Sequence, residues 1–134
     1  MKNTTRAKSS QQEKRIAKSM GGKQVIGSGA TPFLKGDVIA DNLFIEAKTK
    51  MVPSQSITIK KAWIDKAKEQ SLAMRKRDYA IAVSFGDNKD YYLIEDTFME
   101  ELCKFREVCL QIEDYMATFG EDYNIVNIIK EVFN

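Results

Sequence analysis

The sequence contains no histidine and only two cysteines, Cys103 and Cys109. Without imidazole there is no His-based acid/base catalysis, no Ser-His-Asp triad and no ordinary zinc site. A metal, if bound, sits on oxygen ligands, which selects a hard cation such as Mg²⁺ or Mn²⁺. The cysteines fall in a stretch of helical period at a spacing that points them to different sides, so reduced thiols are expected rather than a mutual disulfide. No apolar run approaches the roughly 20 residues that span a bilayer. The opening MKNTTRAKSSQQEKR also lacks the apolar stretch of a secretory signal. An intracellular protein that does not enter a membrane is the expectation.

What is present suits one compact core. The chain has 134 residues, of which 43% are hydrophobic and 30% charged, a balance that excludes disordered and collagen-like chains. Its net charge of +2 hides a division along the chain. Residues 1–77 hold 17 Lys/Arg against 6 Asp/Glu, a balance of +11, and residues 78–134 hold 4 against 13, a balance of −9. A first half so basic suggests a polyanionic partner.

Residues 1–10 are polar and basic with no apolar period, and read as a flexible basic arm. From Gln11 to Met20 the spacing of Ile16, Ala17 and Met20 predicts a short helix, stopped by Gly21-Gly22. Gln24 to Ser28 reads as a brief strand ended by the Gly27-Ser28-Gly29 turn. Two β-type runs, 36–40 and 43–48, flank Asp41-Asn42 and predict a hairpin. Period-two alternation then puts Leu43, Ile45 and Ala47 on one face and Phe44, Glu46 and Lys48 on the other. A long basic amphipathic helix is expected over about 59–75, with Trp63 on its apolar face. Tyr79 to Phe85 reads as a central strand buried on both faces, and Tyr91 to Ile94 as an edge strand. Helical periods fill about 96–119 and 124–133 around Gly120. The order gives a mixed α/β domain.

The segment that carries chemistry is Gly36-Asp37, eight residues, then Glu46-Ala47-Lys48. Paired strands lie about 4.8 Å apart, so the hairpin brings Asp37 towards Glu46 and Lys48. Two converging carboxylates repel unless a cation lies between them, and a hard divalent ion is the common solution. Such an ion polarises a phosphoryl oxygen and lowers the pKa of bound water. Lys48 is placed to orient that water or to neutralise charge developing on a phosphate.

These residues resemble the PD-(D/E)xK nuclease superfamily, and within it the archaeal-type Holliday-junction resolvases and their phage relatives. The resemblance runs from Glu13 to Phe85. It passes through the helical Glu13, the Gly27-Ser28-Gly29 turn, Lys35-Gly36-Asp37-Val38, Ile45-Glu46-Ala47-Lys48-Thr49 and the basic helix that follows. It implies a restriction-endonuclease-like core over 11–95, with a central mixed sheet of about five strands flanked by helices. Residues 96–134 would be a C-terminal helical extension of the same domain. Asp37, Glu46 and the Ala47 carbonyl would hold Mg²⁺ or Mn²⁺, Lys48 would be the catalytic lysine, and Glu13 the helical acid near the metal. Ser28 stands where these resolvases carry a loop serine near the scissile phosphate, and Gln70 matches a polar helix position that some members place near the metal. Gly36 replaces the proline that precedes the aspartate in the family motif.

The resemblance implies a homodimer that nicks four-way DNA junctions in the cytoplasm of a prokaryotic or phage-infected cell. Lys14, Arg15, Lys18, Lys23, Lys35, Lys50, Lys60 and Lys61 are candidate phosphate contacts, which position DNA without reading its sequence. Trp63 and Tyr79 read as core residues rather than base-stacking platforms. The residues alone leave three alternatives open: a related nuclease for other DNA, a non-catalytic nucleic-acid-binding module, and an interaction protein whose acidic C-terminal helices dock a partner.

Overall fold

The computed structural model describes residues 5–25, 38–119 and 130–131. The chain divides into two units, Met1–Ile94 and Glu95–Asn134.

The first unit begins with helix α1, Thr5–Met20. Residues 5–10, expected in a flexible arm, are therefore helical. The apolar period starts only further on, but nothing between Thr5 and Gln11 breaks a helix. Once a helix exists, each added residue gains a backbone bond at little further cost. The helix ends as Gly21-Gly22 predicts. Gly21 takes the left-handed conformation (φ +62°), and the Gly22 N–H donates to the Ala17 carbonyl at 2.8 Å, closing a Schellman cap.

Strand β1 (Lys23–Gln24) begins one residue earlier than expected and pairs antiparallel with β2 (Val38–Ala40), and the expected strand beyond Val25 lies outside the described residues. The Gly27-Ser28-Gly29 turn lies outside the described residues. Strands β2 and β3 (Leu43–Thr49) form the expected hairpin, with Val38 opposite Ile45, and its link begins at Asp41 with φ +24°. Helix α2 (Lys61–Ala73) then carries the chain to β4 (Asp78–Ser84), which runs parallel to β3 with Glu46 beside Ile81 and Lys48 beside Val83. Strand β5 (Tyr91–Leu93) closes the sheet antiparallel to β4, at the edge. The result is a mixed five-stranded sheet in the order β1-β2-β3-β4-β5.

Each face of the sheet is covered by a helix, and alternation along β3 and β4 decides which residues go where. Ile45, Ala80 and Ala82 face α1, packing with Ile16 and Val38. Phe44, Tyr79, Ile81 and Val83 face α2, packing with Ala67. From Tyr79 to Ser84 every residue of β4 is buried, as a central strand requires. Fully burying Phe44, Ile45 or Ile81 contributes about 1.5–3 kcal/mol each. Glu46 and Lys48 therefore lie on the α2 face, in line with Phe44. The loop after β3 is pinned to the end of β4: the Lys50 N–H donates to the Ser84 carbonyl (3.1 Å) and the Ser54 N–H to the Phe85 carbonyl (2.9 Å).

In the second unit, α3 spans Asp96–Phe119. Cys103 is exposed and Cys109 buried, and both thiols are free. Of the helix expected over 124–133, Lys130 and Glu131 are helical and the remainder lies outside the described residues. No described helix is long and apolar enough to cross a membrane.

Candidate active site on strand β3

Glu46 is a carboxylate pulled into the interior by its place in the sheet. It is 4% exposed, with Ile81 beside it and α2 above. Its Oε1 lies 3.3 Å from the Lys48 Nζ and 3.9 Å from the Lys66 Nζ. Its Oε2 is buried and accepts no hydrogen bond. A buried charged oxygen without a partner is costly, and a bound cation or an ordered water is the usual explanation. The two ammonium groups reach solvent on long stems, so the pair is satisfied on one oxygen only.

Lys48 has a second neighbour, the Trp63 ring, whose centroid is 4.9 Å from its Nζ. Trp63 and Lys66 stand one helical turn apart on α2, with Ala67 and Gln70 continuing the same face. Gln70 is buried on that face. The backbone of Lys48 is held from the other side of the sheet by Gln12, which is only 1% exposed. Its amide Nε2 donates to the Lys48 carbonyl at 3.0 Å, the Asp90 Oδ1 at 3.2 Å and the Ala82 carbonyl at 3.4 Å. Asp90 in turn accepts a two-pronged bond from Arg15, at 2.7 and 2.8 Å. That bond to Asp90 raises the Arg15 pKa above its ordinary value, against the effect of burial. Burial pushes the Tyr92 phenol up, while a hydrogen bond with Ser19 opposes the shift.

The expected site residues fall into three groups. Glu46 and Lys48 meet on one face as alternation predicts, and the Ala47 side chain lies on the opposite face, against the Ile45 cluster. Glu13 lies on α1, across the sheet from the Glu46 carboxylate, and accepts a bond from the Gln24 amide at 3.3 Å. Asp37, Ser28 and Lys35 lie outside the described residues, and Val38, next to Asp37 in sequence, pairs with the neighbour of Glu46. Among the described residues no three His, Cys, Asp or Glu side chains converge as a metal-binding group.

Of the expected phosphate contacts, Lys14, Lys18, Lys23 and Lys60 are exposed and Lys50 is half-buried. Lys61 is exposed and pairs with Asp65, one turn along α2, at 3.1 Å. Arg15 departs from the expectation: its guanidinium is turned inward to Asp90, where both prongs are taken, so it is a structural tie rather than a free cation. Sequence reasoning misses Gln12, Asp90 and Lys66. Lys66 carries a signal in its spacing from Trp63 and Gln70, whereas nothing in the sequence pairs Gln12 with Asp90.

Protein-family models, curated proteins and solved structures give no match to this chain.

Proposed function

We propose that this chain is a metal-dependent DNA endonuclease of the PD-(D/E)xK type with a restriction-endonuclease-like core, and most specifically a Holliday-junction resolvase acting as a homodimer in the cytoplasm. The observation that carries the reading is the buried, unpartnered Glu46 Oε2 beside Lys48. A carboxylate kept only for stability would have both oxygens bonded or would be replaced by an apolar residue. The element order also supports the reading. A helix, an antiparallel three-strand meander, a helix and a parallel strand follow one another, the succession that the resemblance implies.

The donor set fits a hard cation: Glu46 Oε2 is an oxygen with no other occupation, and Asp37 and the Ala47 carbonyl complete the proposed ligands. When bound, Mg²⁺ or Mn²⁺ supplies Lewis-acid polarisation of a phosphoryl oxygen and a more acidic water. Lys48 neutralises charge that builds on the phosphate and orients the attacking water, while its contact with Glu46 keeps the ammonium at the strand. Gln12 fixes the Lys48 backbone from behind, so the ammonium projects from a rigid strand. Lys66 adds a second positive charge on the same side, favouring an anionic substrate. Two copies related by a two-fold axis place two such sites on a four-way junction, which needs symmetric nicks.

The test is cleavage of labelled four-way junction, linear duplex, splayed-arm and single-stranded DNA, each with Mg²⁺, Mn²⁺ or EDTA at fixed salt. Paired, metal-dependent nicks confined to the junction are expected. Cutting of every substrate would keep the nuclease and remove the junction assignment, and binding with no cutting under either metal would replace the nuclease with a binding module.

A further inference from the structure

Beside the Glu46–Lys48 pair lies an open cleft of about 280 Å³ whose lining includes Lys48, Lys50, Lys60, Thr58, Ile57 and Trp63. Its walls are of two kinds. One wall is cationic, and neither Lys50 nor Lys60 has an ion-pair partner among the described residues. Ammonium groups crowded around one cleft repel each other, and an anion with several oxygens relieves that repulsion. The other wall is apolar: Trp63 and Ile57 border the opening while packed from below on the Phe44–Ile81 cluster, so the indole is held in place by the core.

A lone anion would use only the cationic wall. A ligand that carries phosphate oxygens next to a flat apolar ring uses both, and that description fits a nucleotide. A paired duplex keeps its base faces stacked and offers such a cleft only its backbone. The volume lies just below the range of drug-sized small-molecule sites, roughly 300–1,000 Å³, which suits one nucleotide and not a helix.

We infer that this cleft takes a single unpaired nucleotide of the DNA strand, with its phosphates on Lys50, Lys60 and Thr58 and its base against Trp63. The inference rests on the nuclease reading and adds which part of the substrate the chain selects, a nucleotide freed from pairing next to the cut, as at a branch. The Lys48 ammonium stands 4.9 Å from the indole centroid, where the base must go. A partly exposed cation–π contact is weaker than base–indole stacking, so the base displaces the ammonium and releases it towards the phosphate.

Trp63 is the only tryptophan in the chain, so its emission reports the cleft directly. The full-length protein is titrated in EDTA, at fixed salt, with a short single-stranded oligonucleotide and with a blunt-ended, fully paired duplex of the same sequence. Single strand is expected to quench Trp63 to saturation, and duplex to leave the emission nearly unchanged. By anisotropy of the labelled oligonucleotide, Trp63→Ala weakens single-strand binding about 5- to 140-fold, the loss of one base–aromatic stack. Duplex binding stays within about twofold, because backbone contacts do not use the ring. Trp63→Phe keeps a flat ring and most of the core volume, and retains the preference for single strand. Removing Lys50 and Lys60 together lowers the single-strand salt slope by about 1.4, as two lost phosphate contacts require. Equal quenching by duplex and single strand, or saturating single-strand binding with no quenching, overturns the inference. A protein that cuts junctions in Mg²⁺ without that quenching loses the cleft assignment alone. One that is quenched by single strand but never cuts keeps the cleft and loses the nuclease reading.

Discussion

Replacing Gln12 by glutamate turns a buried donor into an acceptor among acceptors. The Gln12 side chain is 1% exposed, and its Nε2 faces two carbonyls and the Asp90 carboxylate, at 3.0 to 3.4 Å. An ionised carboxylate there has no proton to give and repels Asp90, so in Gln12→Glu the introduced carboxyl must keep its proton in the folded state. Each pH unit above the ordinary glutamate pKa of about 4.3 then costs about 1.4 kcal/mol, reaching about 3.7 kcal/mol at pH 7. The sign follows from the raised folded-state pKa: the variant is relatively stable below about pH 4 and loses stability as pH rises. Gln12→Met is the control. It forfeits about 1 kcal/mol for a carbonyl bond and about 2 kcal/mol for the bond to charged Asp90, with no pH dependence. Urea unfolding between pH 4 and 8, followed by circular dichroism, should show the glutamate variant's deficit growing by about 1.4 kcal/mol per pH unit while the methionine deficit stays level. A deficit for Gln12→Glu that is flat with pH, or below about 1 kcal/mol at pH 7, would refute this placement of the amide.

Arg15→Ala leaves the Asp90 carboxylate, whose side chain is 11% exposed, without its two-pronged donor, and should cost about 2–3 kcal/mol in urea unfolding. Arg15→Lys should recover only part of that, because an ammonium cannot reproduce the fork. Arg75 follows α2 in the left-handed conformation (φ +55°) while the Lys76 N–H closes the cap on the Ser71 carbonyl. Arg75→Gly should therefore stabilise the protein by about 0.5–1 kcal/mol, seen as a higher urea midpoint. Burial raises the Tyr92 pKa, so the neutral phenol is the form that the fold favours. Stability should hold below about pH 10 and decline as pH rises further, and Tyr92→Phe should lack that component of the decline.

Much of the sheet was legible because period-two alternation is written directly in the residues. The run YAIAVSF announced a two-sided strand, and LFIEAK put Glu46 and Lys48 on one face, where the structure has them 3.3 Å apart. The limits of α1 were not legible, because the polar turn from Thr5 to Ser10 has no apolar period and helix propagation needs none. Long-range polar partners were equally hidden. Gln12 meets the Lys48 carbonyl and Asp90 across 36 and 78 residues of sequence, and only the stacking of α1 on the face of β3 and β4 brings them together. Arg15 looked like a phosphate contact for the same reason, since its partner arrives with β5. Trp63 read as a core residue and does pack on the core, yet it also borders the cleft and carries Lys48 above its ring. A half-buried aromatic serves both roles, and periodicity cannot separate them.

The measurement that bears most directly on the central claim is the rate at which wild-type protein and Glu46→Gln cleave a four-way junction in Mg²⁺, with binding in EDTA and the unfolding midpoint recorded for both. The amide is nearly isosteric with the carboxylate it replaces, so the fold and junction binding should persist. The account predicts metal-dependent nicking by the wild type and a loss of at least about 100-fold on removing the carboxylate charge. Cleavage by Glu46→Gln at close to the wild-type rate would contradict it.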